Sequence, residues 1–302
     1  MATHKMGAEL MPVTANGTAY TIEENGETEN GRRSRWYVAD HLRNKPGVPL
    51  LLFVHGNGAT YTSLDTTAQG QVRDWLVDNG WAVFEADAGG TSNFGNDAAQ
   101  QAYIDGLAWV DSRIDVGTIA ALGVSMGGVA AYWLASLSPF ADRVNHVIIQ
   151  QGVSDLTYRY TATPSGTQVL GYAYGLGWTT TIDMPAWEVA ADGHDPMWTD
   201  PAVWQGKKVL QLWDDADMTV EWGDHGQKWV TKYGDIADVQ VIGTTGAGHT
   251  FHAGHREPAY AFLAAAQTPD TPPVHPIDEP VWIIRAMRVV GDDMRLYPVK
   301  FR

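Results

Sequence analysis

The chain has 302 residues, a formal charge of −15, no cysteine, and 44% hydrophobic against 18% charged residues. That length suits one large α/β domain, or two small ones, with a sizeable core. The missing cysteines exclude disulfides, thiolate metal sites and a cysteine nucleophile, and the acidity argues against nucleic acid or an anionic membrane surface as a partner. The first residues, MATHKMGAELMPV, lack the apolar core of a signal peptide, and no later run is long enough to span a bilayer. The expectation is therefore a cytoplasmic protein, with particle association or non-classical export as alternatives.

Thr18–Glu23 and Arg35–Ala39 are short β-rich runs separated by Asn25-Gly26 and Asn30-Gly31, which predicts an antiparallel pair. Pro49–Val54 is a continuous apolar strand of the kind buried on both faces, and it ends in His55-Gly56-Asn57-Gly58. Small residues there let backbone N–H groups point inward, so Asn57 or Gly58 is a candidate donor to an oxyanion, with His55 bracing the loop. Ser63 is placed to cap a helix over Leu64–Asn79. A strand over Trp81–Ala86, the loop Asp87–Ser92 and a helix over Asp97–Val110 follow.

The apolar run Ile119–Val124 then leads into Gly-Val-Ser125-Met-Gly and a stretch of small residues to about Leu137. Strand, sharp turn and helix in this order predict a nucleophile elbow, which lifts Ser125 above the sheet edge in a strained conformation, the alternative being a plain turn whose serine caps the helix. Side chains at Gly123 and Gly127 would collide with the helix packing back on the strand. The Met126 N–H, at the helix N-terminus, is placed to meet a developing negative charge. A further strand, Val144–Ile149, ends at Gln150-Gln151-Gly152.

Strands alternating with helices imply a parallel sheet wound by right-handed crossovers. The periodicity fails from Ser154 to about Val203, a stretch carrying Tyr158, Tyr160, Tyr172, Tyr174, Trp178, Trp187, Trp198 and, just beyond it, Trp204. An interruption of this length predicts a lid insertion over the carboxyl edge of the sheet. Its aromatics, with Trp178, Trp187 and Tyr158 as candidate substrate contacts, either wall a pocket or pack the insertion's own small core.

Lys207–Trp213 resumes as a strand ending in Asp214-Asp215-Ala216-Asp217, followed by a helix over Val220–Tyr233 and a strand over Asp238–Ile242. The next loop holds Gly246-Ala-Gly-His249, and a helix over Glu257–Ala266 closes a domain spanning 1–267. Thr268–Pro280 contains five prolines and reads as a linker. Val281–Val290 and Met294–Phe301 predict a locally basic β-hairpin appendage, either an addition to the sheet edge or a docking element.

Ser125, an aspartate near 217 and His249 thus stand at the carboxyl ends of successive buried strands. In this order, with the G-V-S-M-G-G elbow, the His-Gly loop and the G-x-G-H segment, the chain from Pro49 to Ala266 resembles the α/β-hydrolase family of esterases and lipases. One departure is Ala88, where many members carry arginine in the D-x-R-G-x-G-x-S loop. The resemblance implies the α/β-hydrolase fold, a mostly parallel sheet with helices on both faces. It also implies Ser125 as nucleophile, His249 as general base and then acid, and Asp217 orienting the imidazole, with Asp215 and, more distantly, Asp155 as rivals. The oxyanion donors it implies are the amides of Met126 and Asn57.

The expected reaction is cleavage of a small or oligomeric carboxylic ester through an acyl-enzyme, without a cofactor or metal. A peptidase, an acyltransferase, or a non-catalytic module tethered to a larger assembly are the alternatives. Activity is expected to fall as acid protonates the imidazole. His252, His255 and the Asp192, His194, Asp195 group lack specific metal-ligand spacing.

Overall fold

A computed structural model describes residues 12–26, 33–267, 286–290 and 293–296. Its sheet is built from β1 (Tyr20–Asn25), β2 (Ser34–Ala39), β3 (Val48–Val54), β4 (Ala82–Ala86), β5 (Val116–Val124), β6 (Val144–Gln150), β7 (Lys208–Asp214), β8 (Asp238–Thr244), β9 (Ala286–Val290) and β10 (Asp293–Leu296). They lie in the order β1-β2-β4-β3-β5-β6-β7-β8-β9-β10. The run from β4 to β9 is parallel, and β1, β2 and β10 join antiparallel. Because β3 lies between β4 and β5, the winding reverses there, and the crevice beyond its carboxyl end is where such sheets bind ligands.

Alternation along the strands divides the core into two layers. On β3, Leu50, Leu52 and Val54 face one side, with Phe84, Tyr103 and Tyr132, whereas Leu51 and Phe53 face the other, with Leu76, Trp81 and Phe262. The helices supplying these layers are α1 (Thr67–Asp78), α2 (Asp97–Asp111), α3 (Gly128–Ser136), α7 (Gly226–Tyr233) and α8 (Ala253–Ala266). Every residue of α3 is buried, so this helix is apolar all round, as a helix enclosed by the core must be.

The insertion contains three short helices, α4 (Leu156–Ala162), α5 (Pro164–Ala173) and α6 (Met184–Ala190). Each begins at a side-chain cap: Asp155 accepts from the Tyr158 amide, Thr163 from Gly166 and Asp183 from Ala186. Their apolar faces form a third cluster, in which Leu156, Tyr160, Leu170 and Trp187 pack with Phe94, Met126, Val129, Val153 and Val220. The insertion therefore rests on the elbow and on the loops after β4, β6 and β7.

Several expected boundaries move. Ser63 does not cap α1; its hydroxyl donates to Thr60 O at 2.7 Å inside a tight 3-10 turn, and α1 starts at Thr67. The helix expected over Val220–Tyr233 starts at Gly226, because the Thr219 and Val220 amides are taken by Asp217. α8 starts four residues before Glu257, capped by the His252 ring accepting from the Gly254 amide. The linker expected over 268–280 lies outside the described residues, as do residues 281–285, 291–292 and 297–302 of the expected appendage. The backbone of β9 runs beside β8, pairing Val241 with Ala286.

Candidate active site

The turn after β5 holds Ser125 at φ +54°, a left-handed conformation that costs a non-glycine residue on the order of 1–3 kcal/mol. Close backbone packing sustains it. A Cβ on Gly123 would sit 2.5 Å from Gly127 O and 2.7 Å from Ala131 Cβ, so β5 and α3 meet only if that position is glycine. Gly127 has a different neighbour from the one expected: its Cβ would strike the carbonyl oxygens of Val54 and His55 at the end of β3. The elbow is thereby pressed against the His-Gly loop, and a Cβ on Gly56 would lie 3.4 Å from Ser125 Cβ.

His249 joins serine and aspartate. Ser125 Oγ donates to His249 Nε2 at 2.8 Å, and His249 Nδ1 donates to Asp217 Oδ2 at 2.8 Å. The other oxygen of Asp217 accepts from the amides of Thr219 (2.8 Å) and Val220 (3.0 Å). Burial opposes the charge on Asp217, but the hydrogen bond from His249 and those two amides outweigh it and hold the carboxyl below its usual range. A carboxylate that stays ionised beside Nδ1 fixes the imidazole tautomer and leaves Nε2 free to accept a proton. Chemically, the chain of three groups can draw the proton from the serine hydroxyl as the oxygen attacks an electrophile.

The rival acids stand elsewhere. Asp215 is exposed and accepts from the Gly246 amide at 3.0 Å, and Asp155 caps α4 and lies 3.4 Å from Lys228 Nζ. His55 is buried, with ring nitrogens 2.8 Å from Gly56 O and 3.3 Å from Asp87 O, the bracing role expected of it. In its loop, Gly58 N–H donates to Thr91 O and Ala59 N–H to Gly56 O, and the Asn57 amide just before them has no acceptor among the described residues. Ser92 Oγ donates to Asn57 Oδ1 at 2.5 Å, which ties this loop to the one after β4. Met126 is buried directly after the serine.

The three aromatic candidates of the insertion part company. Trp187 has no accessible surface: it stacks on Tyr160 at 4.2 Å and donates to Thr157 Oγ1, so it is core and offers nothing to a substrate. Tyr158 gives its hydroxyl to Asp224 at 2.6 Å and carries Lys228 Nζ 4.0 Å above its ring. Trp178 is 62% exposed, and its ring packs T-shaped against Tyr172 at 5.7 Å.

Three residues that the sequence patterns did not single out hold the histidine loop. Asp214, buried at the end of β7, accepts from the amides of Ala247 and Gly248 and from Thr244 Oγ1. Burial opposes its charge too, but the Thr244 hydroxyl and the Ala216, Gly248 and Ala247 amides keep its carboxyl below the usual range. Gln150 and Gln151 reach the loop's carbonyls from the end of β6. The two glutamines carried no motif signal, although two successive buried amides at a strand end are a visible oddity. Among the described residues no group of three or more potential metal-ligating side chains occurs, and no helix is long and apolar enough to cross a membrane.

No family model and no curated protein matches the chain. Solved structures do. The carbohydrate esterase from gut microbiota, in truncated form, superposes with a TM-score of 0.62 at 16% identity, covering 84% of this chain and 99% of that one. The S-formylglutathione hydrolase of Agrobacterium tumefaciens gives 0.59 at 13% identity, over 83% and 96% of the two chains. An esterase of Pyrococcus furiosus gives 0.57 at 14%, over 86% and 97%. With sequences this far apart the likeness is one of architecture, and by it the chain has the α/β-hydrolase fold.

Proposed function

We propose that the protein hydrolyses a carboxylic ester through a covalent acyl-enzyme, with Ser125 as nucleophile, His249 as base and acid, and Asp217 orienting the imidazole. The observation that carries this reading is the pair of 2.8 Å hydrogen bonds linking the three side chains, at a serine held in the left-handed region. Ser125 Oγ attacks the ester carbonyl carbon while its proton passes to His249 Nε2, and the carbonyl oxygen takes up the negative charge. The amides of Met126 and Asn57 receive that oxyanion. Each such donor is worth roughly 3–4 kcal/mol of transition-state stabilisation. The intermediate collapses, the C–O bond to the alcohol breaks, and the alcohol leaves with the proton from Nε2. Water, deprotonated by the same nitrogen, then attacks the acyl carbon and returns Ser125 to its hydroxyl form.

Within this reading the insertion α4–α6 is the lid, and Trp178 is its aromatic contact for substrate, since its ring is exposed where that of Trp187 is not. Esterases among the structural neighbours support ester over amide, although a post-proline cleaving enzyme of Rickettsia typhi also shares the fold, this chain covering 36% of its length. A panel of chromogenic esters of graded acyl length, run beside the matching anilides, tests the proposal. Turnover of esters, lost in Ser125→Ala, is the expected result. Turnover of anilides alone would favour a peptidase, and ester turnover unaffected by Ser125→Ala would remove the mechanism.

A further inference from the structure

We propose that Gln150 and Gln151 are positioning residues that register the His249 loop to the strand beside the nucleophile. The inference rests on the reading of His249 as the base. β6 is the neighbour of β5, and Gln150 pairs across the sheet with Val124, the residue before Ser125. Two residues past Gln151, the Val153 amide donates to Ser125 O at 2.9 Å. The segment 150–153 is thus fixed to the nucleophile's backbone. The same segment reaches over to the histidine loop: Gln151 Nε2 donates to Gly248 O at 2.6 Å and Gln150 Nε2 to Thr250 O at 3.2 Å.

Those carbonyls belong to the residues on either side of His249. Gly248 O is part of the peptide unit that ends at the His249 nitrogen, so the Gln151 contact fixes one of the two bonds about which the histidine backbone swings. Gln150 also donates to Gln151 Oε1, which sets the orientation of the Gln151 amide and aims its N–H at Gly248. Both side chains are buried, Gln150 at 1% and Gln151 at 4% exposure, where an amide without a partner would be costly. Gln151 adopts φ +47°, a strained conformation for a non-glycine residue, and its own amide is anchored to Leu212 O on β7 at 2.8 Å. Asp214 holds the loop from the other side through the Ala247 and Gly248 amides, so Gly248 is held at both its N–H and its C=O.

The consequence is geometric. Neither glutamine touches Ser125 Oγ or the imidazole by any hydrogen bond, yet both set where the ring lies relative to the serine. A misplacement of about 1 Å at a reacting group lowers turnover on the order of a hundredfold while leaving substrate binding in place.

Gln151→Met keeps the length and the backbone strain of the side chain and removes its donor. The expected result is a fall in kcat of about tenfold to a hundredfold with KM unchanged within about twofold. In the same variant the downfield proton resonance of His249 Nδ1–H, hydrogen-bonded to Asp217, should broaden or vanish. Unchanged kcat with the resonance intact would overturn the proposal. So would a fall in kcat matched by loss of folded protein in Gln151→Met alone, if the folded variant Gln150→Met then turns over like the wild type. Gln150→Met, which loses the longer bond, should show the same kcat-specific loss on a smaller scale. Failure of the esterase reading is a separate result: Ser125→Ala would retain activity, whereas the resonance of the wild type and its response to Gln151→Met would still judge the clamp.

Discussion

Ser125 and His249, the nucleophile and the base of the proposed mechanism, are held by opposite means. The Ser125 turn is fixed by contact: Gly123 and Gly127 bring β5, α3 and the end of β3 so close that no Cβ fits between them. The His249 loop is fixed by buried polar side chains, with Asp214 on its amides and Gln150 and Gln151 on its carbonyls. Steric fixing acts through glycines of one short stretch pressed on the end of β3, and it is insensitive to pH. Polar fixing draws on residues 33 to 100 positions away and depends on their ionisation and hydrogen bonding. A site assembled this way should fail differently at its two ends.

The largest expected effect is chemical. Ser125→Ala should lower kcat by roughly 10⁴–10⁶ with the fold intact, as measured by steady-state ester hydrolysis and circular dichroism. Asp217→Asn, which lets the imidazole adopt the wrong tautomer, should lower kcat on the order of 10⁴-fold. Asp215→Asn should leave kcat within about twofold, because Asp215 holds only the Gly246 amide. A large loss in Asp215→Asn would reopen the choice of acid.

Steric fixing predicts a stability phenotype. Gly127→Ala places a methyl group on the carbonyl oxygens of Val54 and His55 and should destabilise the protein by about 1–3 kcal/mol, read by urea denaturation. Activity should fall with it, since the turn cannot close. Polar fixing predicts the reverse emphasis: in Asp214→Asn, one of the loop amides faces an N–H in place of an oxygen, and kcat should drop more steeply than the denaturation midpoint.

The pH dependence separates this end of the molecule from β4, on the far side of β3 and β5 in the sheet. Burial lowers His255, behind the histidine loop, to about 4 and His225, beside Asp155, to about 3, from an ordinary value of 6.5. Both bind fewer protons folded than unfolded, so the stability they contribute is present above pH 6.5 and is lost as the pH falls toward those values. Asp214 and Asp217, also lowered, add losses of the same sign below the ordinary carboxylate range. Glu85 on β4 behaves oppositely. It is buried, accepts from Tyr37 Oη at 2.7 Å, and burial raises it to about 8. Its contribution is full in acid and is lost as the pH rises toward that value, on the order of 1 kcal/mol per pH unit between pH 5 and 8. Thermal midpoints measured from pH 4 to 9 should therefore decline at both ends, and Glu85→Gln should flatten the alkaline decline alone. A decline in acid only, in the unaltered protein, would mean that Glu85 is not held neutral.

The same contrast explains what could be read from the chain. The elbow is written in consecutive residues, 123 to 128, so its strain and its glycines were legible before any coordinates. An aspartate near 217 is legible from its place after an apolar strand, and the family resemblance selects Asp217 from its neighbours. Its role in stopping the helix expected from Val220 is not legible, because the Thr219 and Val220 amides are claimed by a tertiary contact. The caps of α4, α5 and α6, namely Asp155, Thr163 and Asp183, are signals present in the chain, within a stretch whose aromatics break the helical periodicity. Trp187 takes the second of the two roles open to these aromatics, because a small insertion must first fill its own core. Gln150, Gln151 and Asp214 were invisible as a group because their partners lie on another strand's loop, which only the sheet order β6-β7-β8 brings within reach.

The most direct test of the account is peptide mapping by mass spectrometry after treatment with a fluorophosphonate, which reports the activated serine without assuming a substrate. The account predicts a single stoichiometric adduct on Ser125, formed at a rate that collapses in His249→Ala and in Asp217→Asn. An untouched Ser125 in the folded protein, or an adduct formed equally fast without the imidazole, would contradict it.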